Sequence, residues 1–297
     1  MTTTRTWHRE PSALRYMLGA FRPSPGWRSD RGCPDLRLHW HGYRIDAAVR
    51  TALAAEGGAT DRDPGALDLL VPQVTGFRLV MAMLTSPRWP LPIWNALQAR
   101  NRLQLLRPLC VDEPGELTLE HCGWRVLEKG LEIDLRLALV QRGAPVWDSV
   151  TTFYYRGRHG APQSSGDAHG APAASPVDEA TPGVRERHWI VPTGDRRRHG
   201  RYTGDYNGLH LWDAYARRMG FPAAFAHPQR IVAQCLAHAD APPVAPAALD
   251  LWIKGPVFYG RPVTLRSVTD RAVGRTTIGL RLDGDPRPAL VGVLSAG

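Results

Sequence analysis

The amino-acid sequence predicts an α+β protein built from two similar halves. In each half, a helix-like stretch that opens near a proline is followed by segments in which apolar and polar residues alternate. Strict alternation is typical of strands with one buried face, and proline suits the first turn of a helix because its missing N–H would be unpaired there. A segment rich in Gly, Ala, Pro and Ser separates the halves. The repeated order of helix and strands indicates an internal duplication.

Three strands are predicted in the first half. Apolar residues occupy every second position from 131 to 139, and shorter alternation occurs at 117–120 and through 146–155. The turn signal Arg-Gly-Ala-Pro at 142–145 separates the two longer runs. Together these segments predict an antiparallel meander. The helix before them is predicted from Pro92 to about Leu103.

The second half repeats this pattern. Alternation at 249–253, 263–265 and 276–282 predicts three more strands. A helix is predicted from Pro228 to about Ala239, because the apolar residues of this stretch fall on one helical stripe. Both halves are therefore expected to end in strands.

A change in composition marks the domain boundary. Large apolar residues are almost absent from residues 157–183, and the Gly, Ala, Pro and Ser that crowd there are typical of a flexible linker. We therefore predict an N-terminal domain at 1–156, a linker at 157–183 and a C-terminal domain at 184–297. A chain of 297 residues that is 43% hydrophobic is long enough to form two cores.

The formal net charge of +9 would suit an anionic partner. Arginine greatly outnumbers lysine, however, and Arg, Ala, Gly and Pro are all abundant together, as a GC-rich genome would produce without selection for binding. No basic and aromatic motif of a nucleic-acid-binding domain accompanies the charge. Nucleic acid is therefore not a predicted partner.

The sequence also predicts a cytoplasmic protein without membrane contact. No apolar run approaches the ~20 residues that span a bilayer, and the first residues lack the apolar stretch of a secretory signal. The four cysteines lie far apart and lack the spacing of a zinc site. Free thiols in a reducing compartment are the expected state.

The candidate catalytic residues lie between Tyr202 and His227. Asp205, Asn207 and His210 occur within six residues, and His227 follows after an amphipathic stretch. A carboxylate, an amide and an imidazole, which are three different hydrogen-bonding groups, thus occur together in one short segment. The same Gly-Asp-Tyr-Asn-Gly string is also ordinary turn chemistry, because Asp and Asn cap helices and Gly permits positive φ. Composition alone leaves both interpretations open.

The whole segment resembles the hydratase 2 signature of the MaoC-like family. The Gly-Asp-x-Asn-Pro-φ-His core of that signature corresponds to residues 204–210, with Gly208 in place of the proline. The Ala-containing helix, the aromatic-Pro turn and the Ala-His pair of the family correspond to 215–218, 220–222 and 226–227. This combination of motifs is specific.

The resemblance extends over most of the chain. Residues 249–270 are similar to the family strand pair that passes through Pro-Val-x-x-Gly. Residues 74–108 and the strands after Glu116 resemble the first hotdog domain of two-domain members, but no Asp-x-Asn-x-x-His core occurs there. The resemblance therefore implies a double hotdog with one functional site, in which each repeat is a central helix wrapped by an antiparallel sheet.

The resemblance implies the addition of water to a trans-2-enoyl thioester, or its removal from an (R)-3-hydroxyacyl thioester. Asp205 and His210 would activate the water and Asn207 would orient the loop. The thioester would be carried by CoA or an acyl carrier protein, and neither a metal nor another cofactor is expected. Two hotdogs in one chain already form the unit that single-hotdog relatives reach by dimerising, so a homodimer is left open.

Further residues are predicted along the substrate. The candidates are Tyr202, Gly204, His227, Gln229 and Arg230. Cations for a CoA or carrier phosphate could come from Arg217, Arg218, Arg230 and Arg261, although solvated surface positions are the stronger explanation of these arginines.

Pro228 departs from the family pattern. Family members usually bind the thioester oxygen through the backbone N–H of a glycine after the histidine, and proline has no N–H. Either Gln229 or a shifted backbone supplies the donor, or the chain is a catalytically impaired acyl-thioester-binding or partner subunit. A thioesterase is a third alternative, but such hotdog enzymes generally carry an acidic residue on the central helix, and 228–239 contains none.

Overall fold

The computed structural model describes residues 2–58, 67–165, 174–238 and 245–296. The strands are β1 (Thr3–Trp7), β2 (Leu36–Tyr43), β3 (Leu97–Leu105), β4 (Gly115–Leu127), β5 (Gly130–Gln141), β6 (Ala144–Arg156), β7 (Gln163–Ser165), β8 (Arg185–Ile190), β9 (Ala247–Ile253), β10 (Pro262–Asp270), β11 (Arg275–Leu282) and β12 (Leu290–Ala296). The helices are α1 (Ala13–Gly19), α2 (Ala47–Glu56), α3 (Val71–Leu84), α4 (Arg196–Thr203), α5 (Gly208–Leu211), α6 (Asp213–Arg218) and α7 (Pro228–His238), with a 3-10 helix at Ile93–Asn95.

All of these strands belong to one sheet. Its order is β1-β2-β4-β5-β6-β3-β9-β12-β11-β10-β8, and β7 pairs with β4. From β2 inward, the first half has the order β2-β4-β5-β6-β3, and from β8 inward the second half has the order β8-β10-β11-β12-β9. In chain order from these starting strands, both halves therefore place the first, third, fourth, fifth and second strand side by side. The two halves meet where β3 pairs with β9, with Leu103 opposite Leu249. The shared strand order supports the predicted internal duplication.

Each half wraps its strands around one largely buried helix. In the first half this helix is α3, and a Cβ added to Gly76 would lie 2.7 and 2.8 Å from the side chains of Leu137 and Leu117. The missing side chain thus lets α3 lie directly on β5 and β4. In the second half the helix is α7, whose residues 229–237 are all buried. A helix enclosed by an antiparallel sheet, occurring twice, is the predicted double hotdog.

The predicted helix from Pro92 to Leu103 is wrong. Only Ile93–Asn95 is helical, as a single 3-10 turn, and β3 begins at Leu97. β3 lies between β6 and β9, so both of its edges are satisfied by neighbouring strands, and this pairing overrides the helix-like local pattern. The central helix lies earlier, at Val71–Leu84. This helix is apolar around most of its circumference. It therefore lacks the apolar stripe repeating every 3.6 residues by which a helix is recognised in a sequence.

The other sequence-based elements agree with the structure. The predicted strands of both halves correspond to β4, β5, β6, β9, β10 and β11, and the predicted second helix to α7. The final predicted helix residue, Ala239, lies outside the described residues. Residues 163–165 of the predicted linker form β7, and 166–173 also lie outside the description, so the domain boundaries stay a prediction.

Two further expectations concern the chain as a whole. Among the helices described, none is long and apolar enough to cross a bilayer. All four cysteines are free, with Cys235 buried and the other three partly exposed.

Candidate active site

The segment from Thr203 to His210 forms a tight turn that leads into α5. The Thr203 hydroxyl accepts a hydrogen bond from the N–H of Asp205 at 3.0 Å, and the Asp205 carboxylate accepts one from the N–H of Asn207 at 2.9 Å. The Asn207 side chain accepts from the N–H of Leu209 at 3.1 Å and so caps α5. These are the usual turn and capping roles of Asp and Asn. They fix where the Asp205 carboxylate and the His210 ring lie.

This turn brings the Asp205 carboxylate close to two imidazoles. Its Oδ2 lies 3.9 Å from Nε2 of His210 and 3.7 Å from Nε2 of His227. The two rings stack with their centroids 3.8 Å apart. Nδ1 of His210 is 3.0 Å from the carbonyl oxygen of Phe225. Because a carbonyl only accepts hydrogen bonds, Nδ1 carries the proton, and in the neutral ring Nε2 has a free lone pair on the side of Asp205.

Both imidazoles are buried deeply enough to favour their neutral forms. His210 is 7% exposed and His227 is 2% exposed. Burial lowers the pKa of His210, although the nearby Asp205 carboxylate acts in the opposite direction. The pKa of His227 lies well below its usual value, because burial and the neighbouring imidazoles of His210 and His199 disfavour the charged ring. A neutral His210 can accept a proton through Nε2.

The three side chains are spaced to share one small ligand. The Asp205 carboxylate oxygen and the ring nitrogens of His210 and His227 all lie within 4.8 Å of one another. A water molecule that donates hydrogen bonds of about 2.8 Å to Asp205 and His210 fits the 3.9 Å separation of their acceptor atoms. A cation could contact the same three atoms. The absence of a metal from the mechanism therefore stays a prediction.

A cavity of about 330 Å³ lies beside Asp205 and His210. Both halves contribute to its apolar walls, through Val74, Phe77, Met81 and Leu84 of α3 and through Leu209, Phe221, Phe225 and Ile231 of the second half. Gln73, Gln98, Gln229, Arg156 and Lys254 add polar or charged groups to the lining. Apolar walls with a few polar groups at one place suit a ligand that has an apolar chain and a polar end.

Helix α7 begins beside the cavity at Pro228. Since proline lacks an N–H, the first backbone donor of this helix is the N–H of Gln229, which has no acceptor within the helix. Both residues line the cavity. The Gln229 side chain donates to Oε1 of Gln98 at 2.7 Å, and Gln98 in turn donates to Asn101 of β3. The side chain of Gln229 is thus held by the first half of the chain.

The predicted site residues fall into two groups. Asp205, Asn207, His210, His227 and Gln229 are brought together and line the cavity. The lining formed by the described residues does not include Tyr202, Gly204 and Arg230, nor Arg217, Arg218 and Arg261.

The residues outside the lining have other surroundings. Gly204 ends α4 with a φ of 73°, a left-handed conformation that favours glycine. Burial raises the pKa of Tyr202 to about 12. Arg230 is buried, with its guanidinium 3.3 Å from the carbonyl oxygen of Gly194 and above the ring of Tyr259. Direct substrate contact by these predicted residues stays untested.

Two buried residues next to the site were not predicted. Nδ1 of His199, on α4, lies 3.1 Å from Oε2 of Glu56 at the end of α2. The His199 ring packs against that of His227 with centroids 4.7 Å apart. Nothing in the sequence connects Glu56 with His199, which is 143 positions away, because only the folded arrangement of the two halves brings them together.

The fold is shared with solved structures of dehydratases. No protein-family model and no curated protein matches the chain. HtdX of Mycobacterium tuberculosis is similar over 88% of this chain and all of its own, with a TM-score of 0.69 and 22% identity. A MaoC-like dehydratase from Phytophthora capsici is similar over 88% of this chain and 95% of its own, with a TM-score of 0.71 and 15% identity.

A third similar structure is larger than this chain. It is the full-length peroxisomal multifunctional enzyme type 2 of Drosophila melanogaster, with a TM-score of 0.62 and 14% identity over 88% of this chain. The match spans about half of that enzyme, 48% of its length. At these identities, the three likenesses establish the architecture, which extends through both halves of the chain.

Proposed function

We propose that this chain, which has the double-hotdog fold of the MaoC-like dehydratases, is a hydro-lyase. The reaction is the reversible addition of water to a trans-2-enoyl thioester, giving a (R)-3-hydroxyacyl thioester of CoA or an acyl carrier protein. The observation that carries this proposal is the 3.9 Å separation of Asp205 Oδ2 and His210 Nε2 beside a cavity with apolar walls.

The two acceptor atoms have complementary tasks. A water that donates one hydrogen to Asp205 and one to His210 keeps an oxygen lone pair free for C3 of the substrate. As the oxygen–carbon bond forms, the electrons of the double bond move toward the thioester oxygen, and one water proton passes to the neutral His210. That proton is then delivered to C2 as the enolate collapses. Dehydration is the reverse of these steps.

The thioester oxygen gains negative charge in this reaction and requires a donor. The N–H of Gln229 supplies it, because it is the first donor of α7 and its residue lines the cavity. The partial positive charge at the start of the helix acts in the same direction. The apolar walls would hold the acyl chain.

The test is the loss of enoyl absorbance with crotonyl-CoA and longer enoyl thioesters. Asp205→Asn preserves the shape of the side chain but removes its negative charge, so turnover should fall by about 10²-fold or more. Asp270→Asn is the matched control, because Asp270 is an exposed carboxylate at the end of β10, outside the cavity lining. Absence of turnover at every chain length would overturn the proposal.

Pro228 supports a second candidate function. If the N–H of Gln229 cannot replace the one that Pro228 lacks, the chain would bind acyl thioesters without converting them. Loss of one oxyanion donor commonly costs about 10²- to 10³-fold in rate. Measurable acyl-CoA binding without turnover would support this function, whereas turnover by the unmodified chain would exclude it. Pro228→Gly adds a backbone donor and should leave the rate unchanged if Gln229 already performs this task.

A further inference from the structure

Glu56 and His199 form a deeply buried polar pair behind the candidate catalytic residues. Their side chains are 2% and 0% exposed, and Nδ1 of His199 lies 3.1 Å from Oε2 of Glu56. Glu56 ends α2 in the first half, whereas His199 belongs to α4 in the second. A buried carboxylate and imidazole are costly to desolvate, and a hydrogen bond between them offsets part of that cost. The pair therefore connects the halves at a fixed position.

The backbone of His199 is linked to the N–H of Asp205 through the hydroxyl of Thr203. The carbonyl oxygen of His199 accepts a hydrogen bond from the Thr203 hydroxyl at 3.0 Å. The same hydroxyl accepts one from the N–H of Asp205, also at 3.0 Å. Movement of His199 would therefore be transmitted to the N–H of Asp205.

The ring of His199 is linked to the carbonyl group of Asp205 through the ring of His227. It packs against the ring of His227 at 4.7 Å between centroids, and the His227 ring stacks on that of His210 at 3.8 Å. Nε2 of His227 is 3.3 Å from the carbonyl oxygen of Asp205, so it donates to this carbonyl. Both backbone polar groups of Asp205 are thus held by contacts that lead back to His199, and His199 is held by Glu56.

We infer that Glu56 and His199 are positioning residues, through which the first half of the chain keeps Asp205 and His210 at the separation that activates water. The inference rests on the proposed function. Glu56 is not part of the cavity lining among the described residues, so it acts through His199 without touching the substrate. The first half, which lacks the Asp-x-Asn-x-x-His motif, thereby contributes to the chemical step as well as to the cavity wall.

The kinetic test compares two substitutions of Glu56. Glu56→Ala removes the acceptor of the His199 ring, and kcat should fall by about 10²-fold, as small displacements of reacting groups can cost. KM should change little, because the cavity walls remain. Glu56→Gln keeps an oxygen that can accept from Nδ1 of His199, so it should retain most of the rate. All rates are measured where each variant is fully folded by circular dichroism and thermal unfolding.

Asp68→Ala is the matched control for a general effect on stability. Asp68 is a buried carboxylate of the first half, 7% exposed, and accepts hydrogen bonds from Arg50 of α2 at 2.7 and 3.0 Å. Its loss should lower stability while leaving kcat of the folded enzyme unchanged. Equal kcat values for folded Glu56→Ala and Asp68→Ala would overturn the positioning role.

A second measurement does not depend on turnover. The ring nitrogen resonances of His210 and His227, recorded by NMR, should shift in Glu56→Ala, return toward their original positions in Glu56→Gln and stay unchanged in Asp68→Ala. If the unmodified chain converts no enoyl thioester, the proposed function fails and these resonances alone decide the inference. Unchanged resonances in Glu56→Ala would then overturn it.

Discussion

At the scale of single residues, the site depends on imidazoles that stay neutral in a buried place. His210 and His227 stack on each other, so protonation of one ring disfavours protonation of the other. Of the nearby groups that favour a positive charge on His210, the carboxylate of Asp205 has the largest effect. Burial outweighs it, and the pKa of His210 falls below its usual value. The arrangement keeps a proton acceptor available at neutral pH.

Because His210 and His227 are buried in places that favour their neutral forms, we predict that the folded chain loses stability in mild acid. In the unfolded chain these imidazoles take up protons near pH 6.5, whereas in the folded chain their lowered pKa values prevent it. The stabilising contribution is complete above pH 6.5 and is lost as the pH falls toward the folded pKa values. The free energy of unfolding in urea should therefore be lower at pH 5.5 than at pH 7.5, by about 1.4 kcal/mol for each full unit of pKa difference expressed.

Two variants identify the source of this pH dependence. His227→Phe should flatten it, because the ring with the strongly lowered pKa is gone. His188→Gln, at an exposed position on β8, is the matched control. An equal pH dependence in the unmodified chain and in His227→Phe would contradict the assignment.

The sequence reveals residues of the site only where they are neighbours along the chain. Asp205, Asn207 and His210 lie in one turn and one short helix, so their spacing already places them together. His227 could be added because it belongs to the Ala-His pair of the MaoC-like signature, at the start of a recognisable helix. Glu56 and His199 belong to different halves, and neither residue lies in a pattern that indicates its partner. Their contact depends on how the halves pack.

At the scale of elements, the packing of α6 against α5 leaves no room for a side chain at Gly208, the first residue of α5. A Cβ added there would lie 2.7 to 2.8 Å from the ring of Tyr215 on α6. The short connection between α5 and α6 holds the two helices side by side, so Tyr215 covers the start of α5. Glycine stands where the MaoC-like signature has proline, and close packing explains why a small residue is needed.

Gly208→Ala should therefore disturb both stability and the site. Overpacking of this kind typically costs about 1 to 3 kcal/mol, and the shift of α5 should move His210 and reduce enoyl turnover. Thermal unfolding and the enoyl assay measure the two effects. Gly194→Ala is the control, because an added Cβ at Gly194 meets no atom within 4 Å. Adding Tyr215→Ala should restore stability, and a wild-type unfolding temperature for Gly208→Ala alone would contradict this explanation.

Elements were predictable where their period is clear. The strands β5 and β11 alternate cleanly and were recognised, as was α7 with its apolar stripe. The helix α3 is buried on nearly all sides and so lacks a one-sided pattern. In β3, buried and less buried residues alternate only over the last five positions, 101–105, so its first half gives no strand signal. The helix predicted across Pro92–Leu103 arose from this ambiguity.

At the scale of the whole molecule, the cavity belongs to both halves. α3 of the first half supplies much of its apolar wall, while the turn and α7 of the second half supply Asp205, His210 and Gln229. Under the proposed function, the half without the Asp-x-Asn-x-x-His motif would therefore still determine which acyl chains fit. The shared strand order of the two halves supports an origin by duplication, after which only one half kept the Asp-x-Asn-x-x-His motif.

Met81→Trp tests whether the first half of the chain determines which acyl chain lengths fit. Met81 is a buried residue of α3 that lines the cavity, and the larger indole side chain of tryptophan there should shorten the space for an acyl chain. Turnover of dodecenoyl-CoA should fall far more than turnover of crotonyl-CoA. Met81→Leu is the volume-conserving control and should preserve both activities. A parallel loss with both substrates would contradict a role in chain-length selection.

The pairing of β3 with β9 has a consequence for how the site is assembled. Because both strands belong to one chain, the two walls of the cavity come together in an intramolecular folding step. A cavity divided between separate subunits would lose its second wall on dilution, whereas this one cannot exchange its wall with another molecule. The specific activity should thus stay constant as the protein is diluted, because each chain carries both walls of this cavity.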